Sequence, residues 1–116
     1  MNLVKILTSQ AILEDLNVFK GNPFESMIKY VVDIDKKILA LGGEMHSDSE
    51  QVLIESGSKQ ENLWGANIYP WSDPIEIEYI SLINIRPSAG NLSMEIQDEG
   101  IRDLVKSITF DWIKLK

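Results

Sequence analysis

The chain has 116 residues, no cysteine, and 18 acidic against 11 basic side chains, for a formal charge of −7. That length suits one domain, residues 1–116, able to bury a core without covalent staples, and the missing thiols exclude disulfides and thiolate metal sites. The acidic balance, with no basic stripe bearing interleaved aromatics, argues against a nucleic-acid partner. Lys5, Ser9, Gln10, Glu14 and Asp15 break up the opening stretch, so it reads neither as a secretory signal nor as a membrane span. The expectation is a soluble, cytoplasmic protein with no membrane partner.

In chain order, Leu3–Leu7 reads as a short strand, and Thr8 or Ser9 as the cap of a helix. Ile12, Leu13, Leu16 and Phe19 are spaced for one face of that helix, and Gly21 for its stop. Residues 22–41 admit two readings. As a helix, Phe24, Met27, Ile28, Val31, Ile34, Ile38 and Leu41 share one side. As strands, Ile28, Tyr30, Val32 and Ile34 alternate with Lys29, Val31 and Asp33, and 35–37 turn the chain into 38–41. The pair Val31-Val32 and Tyr30 favour the hairpin. Ser47 and Glu50 are spaced for a capping box, but Val52-Leu53-Ile54 is a short apolar run, so 51–56 is predicted as a strand.

Gly57-Ser58 then returns the chain into a strand over 61–69. Pro70 and Pro74 bracket a hairpin loop, and 75–87 reads as one long strand ended by Pro87. If Trp64, Ala66 and Ile68 face the core, they meet Ile77, Tyr79 and Ser81, while Asn67 and Glu78 share the opposite face. Asp98 caps a final helix to about Ile113, with Ile101, Leu104, Val105, Ile108 and Trp112 as its stripe. The predicted fold is α+β: an antiparallel meander of about four or five strands, with an N-terminal and a C-terminal helix packed on one face.

Three segments carry a resemblance. Gly42-Gly43-Glu44-Met45-His46-Ser47-Asp48, then Gly57-Ser58-Lys59-Gln60 with Leu63-Trp64-Gly65, then Ile83-Asn84-Ile85-Arg86-Pro87 are similar to a small prokaryotic family of domains of unknown function. The family is marked by GGE-x-H-x-D, GSKQ-x-x-LWG and INIRP segments, and the likeness spans residues 25–110. It implies no activity, cofactor or catalytic residue. It does imply glycine in place of Lys37 and arginine in place of Leu92.

The residues themselves suggest chemistry, each against a plainer alternative. Glu44, His46 and Asp48 would share a face if 43–48 were extended. Two acids beside the only histidine could prepare it as an acid or base, or hold a divalent metal; alternatively this is a solvated strand end. Asn84 and Arg86 share a face near the loop of Ser88 and Asn91. Together they could clamp a small anionic ligand such as a carboxylate or phosphate, or Arg86 could make a structural ion pair with Glu44, Glu78 or Glu95.

Trp64 and Asn67 border Gly65, which either leaves room for a ligand beside the strand or marks a bulge with Trp64 in the core. Trp71, between prolines, is a candidate anchor for a second copy of the chain. Three functions stay open. The first is a non-enzymatic ligand-binding or interaction module, with a homo-oligomer as one form. The second is a small hydrolase-like enzyme using His46 with Arg86 as anion clamp. The third is a metal-binding domain through Glu44, His46 and Asp48. No motif calls for a cofactor.

Overall fold

The structure is a computed structural model and describes residues 3–115. Its centre is the hairpin of β3 (Ile28–Asp33) and β4 (Ile38–Gly42), after the opening strand β1 (Val4–Ile6), the short β2 (Ala11–Ile12) and the helical turn α1 (Leu13–Leu16). Asp33 folds the hairpin turn, its Oδ1 accepting the N–H of Asp35 and of Lys36, both at 2.9 Å. Lys37 completes it at φ +58°, the left-handed region where glycine is at ease. The glycine that the family resemblance implies there fits this geometry.

After β4 come α2 (His46–Glu55), β5 (Leu63–Tyr69), β6 (Glu76–Glu78), α3 (Glu99–Trp112) and β7 (Ile113–Lys114). The main sheet has five antiparallel strands in the order β1-β4-β3-β5-β6, and β2 pairs with β7 in parallel beside it. The α+β class therefore stands. The path is not a plain meander, because α2 carries the chain over β3 so that β4 and β5 flank it.

Alternation along β3 and β5 divides the sheet into two faces. Ile28, Tyr30, Val32, Trp64, Ala66 and Ile68 face a core closed by Val105 and Ile108 of α3 and by Leu16 and Phe19 of the N-terminal segment. Within it the Tyr30 hydroxyl meets Thr109 Oγ1 at 2.8 Å, so this buried phenol is satisfied. The second face carries a smaller core of Val31, Ala40 and Leu63 under Leu53 of α2. Asp98 caps α3 as expected, accepting the Ile101 N–H at 3.0 Å.

Three expectations are corrected. The N-terminal helix is one turn long and continues as a 3₁₀ turn over Asn17–Phe19, because residues 11 and 12 are drawn into pairing with the chain's far end. Residues 51–55 are helical, not extended, and Ser56 caps the helix. Gly42 and Gly43, at φ +104° and +94°, turn the chain out of β4. Asp48 Oδ2 then accepts the Met45 N–H at 3.1 Å to start α2. The helix ends in a Schellman pair, Gly57 N–H to the Ile54 carbonyl at 3.0 Å and Ser58 N–H to the Leu53 carbonyl at 2.9 Å.

The long strand at 75–87 is the third. Only Glu76–Glu78 ladders with β5, Ile80 makes a single bridge to Glu95, and 3₁₀ turns take Leu82–Asn84 and Pro87–Ala89. No helix among the described residues is long and apolar enough to cross a membrane.

Candidate functional site

Register sets a polar row on the α2 face. Lys29 of β3 stands opposite Asn67 of β5, and Asn67 opposite Glu78 of β6. The helix α2 starts beside this row rather than over it, and the segment 80–83 with Met94 forms a second wall. Between them lies a cleft of about 360 Å³. Its polar members are Lys29, His46, Ser47, Asn67, Tyr69, Glu78 and Ser81, and its apolar wall includes Met27, Met45, Ile80, Leu82 and Met94.

His46, 8% exposed, enters this cleft from the first turn of α2. Its Nε2 lies 2.8 Å from the Ala66 carbonyl oxygen. A carbonyl can only accept, so Nε2 carries the proton and the neutral ring leaves Nδ1 as an acceptor. Burial lowers the ring's proton affinity below the ordinary histidine value; Lys29 adds to this, while the Ala66 carbonyl and the Asn67 side chain oppose it. Gly65 makes the approach possible, since a Cβ there would come within 3.1 Å of His46 Cδ2 and 2.6 Å of Ser81 Cβ. That glycine gives its space to His46 and Ser81, pairs opposite Val31 without a bulge, and leaves Trp64 packed in the core.

Asn67 is 7% exposed. Its Nδ2 donates to Glu78 Oε1 at 3.3 Å, and Oδ1, also buried, has no hydrogen-bond partner. Tyr69 donates to the same Glu78 oxygen at 2.8 Å, which raises the phenol's pKa because the bond favours its protonated form. Sequence reasoning placed Asn67 and Glu78 on one face, and the register bears this out. It did not single out Lys29 or Tyr69 as site residues. Lys29 could have been found from its alternation with the apolar residues of β3.

The other candidates lie elsewhere. Glu44 is exposed, and Asp48 is occupied at the start of α2, so helical geometry does not bring either into a one-faced trio with His46. Among the described residues no three His, Asp or Glu side chains are grouped to hold a metal ion. Asn84, fully buried, uses its amide as a piece of backbone: Oδ1 accepts the Gly65 N–H at 2.8 Å, and Nδ2 donates to the Gly65 carbonyl at 2.9 Å.

Asn91 likewise donates to the carbonyls of Asn84, Ser93 and Glu95 and accepts from Gln97 N–H. Arg86 gives Nη2 to the carbonyls of Leu63 at 2.7 Å and Ile83 at 3.2 Å, and its guanidinium carbon lies 4.6 Å from the Trp64 ring centre. It lines a separate groove with Glu50, Glu61 and Ser88, not the His46 cleft. The donors expected to clamp an anion are largely spent on carbonyls. Trp71 is half-buried, donating Nε1 to Asn17 Oδ1 at 2.9 Å with Lys20 over its ring.

A protein-family model described as Protein of unknown function (DUF5674) matches residues 5–112. The chain therefore belongs to that family. No curated protein and no solved structure matches it.

Proposed function

We propose that this member of the DUF5674 family is a non-enzymatic binding module whose site is the His46 cleft. Its ligand is a small molecule with an apolar body and at least one N–H or O–H donor. The observation that carries this reading is Asn67, more than nine-tenths buried with an unpartnered side-chain oxygen, in a cleft that sets a few polar side chains against an apolar wall of Met27, Met45, Ile80, Leu82 and Met94. A buried acceptor left unmade costs about 1–3 kcal/mol, and a ligand whose donor displaces the atoms that cover it removes that cost. The neutral His46 offers a second acceptor at Nδ1, and Glu78 a third. Met27, Met45 and Met94 give a wall that adapts to different apolar shapes.

The hydrolase-like reading has less support, because His46 and Arg86 line different clefts. Titration of ¹⁵N-labelled protein with 2-phenylethanol, phenethylamine and 2-phenylethyl methyl ether tests the proposal. The alcohol and the amine should move the amide signals of Ser47, Asn67 and Glu78 at millimolar concentration. The ether, which lacks a donor, should move them less, and Asn67→Leu should erase the difference. No movement at these positions with any of the three probes would refute it.

A further inference from the structure

The order of charges across the cleft narrows the ligand class, on the premise that the binding reading above holds. Lys29, Asn67 and Glu78 form one cross-strand row. Neighbouring strands stand about 4.8 Å apart, so the two charged residues are rooted about 10 Å apart with an amide midway. Glu78 takes both of its protein hydrogen bonds on Oε1, which leaves Oε2 to receive a cation. The Lys29 ammonium lies 5.2 Å from the Phe24 ring centre, a contact that still leaves it donors for an anion. The floor thus reads cation, amide, anion, and a neutral His46 adds no charge.

We propose that the cleft takes a zwitterion of short-peptide length. The ligand's ammonium sits at Glu78 and its carboxylate at Lys29, with its peptide group over Asn67 midway between them. The side chains rest on the methionine wall. Spacing sets the length. With both side chains upright from the sheet the two charges keep that separation, and two charge-assisted contacts of about 2.8 Å each leave about 4–5 Å between the ligand's own charges. Extended residues advance about 3.5 Å each, so a dipeptide fits and a single α-amino acid falls short. An adaptable methionine wall makes the site tolerant of side-chain identity.

Calorimetric or NMR titration of the full chain with Leu-Gly, N-acetyl-Leu-Gly, leucyl-glycinamide and leucine tests this. Leu-Gly should bind at least about fivefold tighter than each of the others, the order expected of a partly exposed ion pair. Lys29→Met should abolish the preference for a free carboxylate and keep that for the ammonium. Glu78→Gln, which still accepts from Tyr69, should do the reverse. The ligand series on the unmodified protein decides the matter even if a variant fails to fold. Equal binding of Leu-Gly and both capped peptides overturns the zwitterion inference and leaves the binding cleft standing. If neither these peptides nor the phenylethyl probes disturb the cleft, the binding reading itself falls, and the inference with it.

Discussion

Adding one methyl group at Gly65 should destabilise the protein by about 1–2 kcal/mol. A Cβ at this position would lie 2.6 Å from Ser81 Cβ, 2.7 Å from Ser81 Oγ and 3.1 Å from His46 Cδ2, whereas carbon atoms pack best at about 3.5–4.0 Å. Ser81 has little room to retreat. Its N–H is bonded to the Met94 carbonyl at 3.0 Å, its Oγ accepts the Ile83 N–H at 3.2 Å, and Asn84 holds Gly65 from the same side. Overpacking of this kind costs about 1–3 kcal/mol, and replacing a strand glycine offsets roughly 0.5–1 kcal/mol of it.

Urea unfolding of Gly65→Ala, Ser81→Gly and the double variant measures the effect and its origin. If the clash with Ser81 dominates, the cycle should show a coupling of about 1 kcal/mol or more in favour of the double variant. A Gly65→Ala protein as stable as the parent, with no coupling to Ser81, would refute the argument.

Other consequences are equally open to measurement. Asn84→Ala should cost about 2–4 kcal/mol, because it strands the buried N–H and carbonyl of Gly65; amide exchange at Gly65 should accelerate with it. Lys37→Gly should raise stability by about 0.5–1 kcal/mol by relieving φ +58°, read as a higher urea midpoint at unchanged slope. Arg86→Lys cannot keep the forked contacts to the carbonyls of Leu63, Ile83 and Glu61 and should lower the unfolding midpoint.

Acidification tests His46. Its folded pKa lies below the ordinary value of 6.5, so the unfolded chain binds more protons between the two values. Stability from this group is then full above pH about 6.5 and declines as pH falls toward the folded pKa. Comparing unfolding free energies of the parent and His46→Gln from pH 7 downward should show a steeper decline for the parent; parallel curves would count against a buried neutral ring.

What could be read from sequence followed from side chains that pack, and what could not followed from side chains that replace backbone. Val31-Val32 and Tyr30 revealed the central hairpin because β-branched and aromatic residues suit a sheet buried on both faces. Asp98 revealed the start of α3 through a short-range cap. The helix α2 was hidden because one residue, Leu53, anchors the small core beneath it, so its periodicity is weak. Its start depends on two left-handed glycines and Asp48 rather than on the Ser47–Glu50 spacing.

The stretch 75–87 alternates like a strand, yet it leaves the ladder after Glu78. What then faces Gly65 is the amide of Asn84, a substitution no periodicity can show. The same cause moved Asn84, Arg86 and Asn91 out of the candidate site. Polar groups at a predicted strand end look free for a ligand until the unpaired carbonyls nearby are counted. His46 and Asn67 remained in one cleft because the first follows directly from β4 and the second from the β3–β5 register.

The amide of Asn84 and the fork of Arg86 have a consequence for how molecules of this protein meet. β6 covers β5 only along residues 67–69, which leaves the outward polar groups of its first half as a template for a foreign strand. Those groups are answered at Gly65 and at Leu63 by the two side chains. The sheet is stoppered at this margin by residues that cannot themselves be extended by another chain. Removing the stopper would open this edge to pairing with a strand of another chain, a hazard that a stability measurement alone would not reveal.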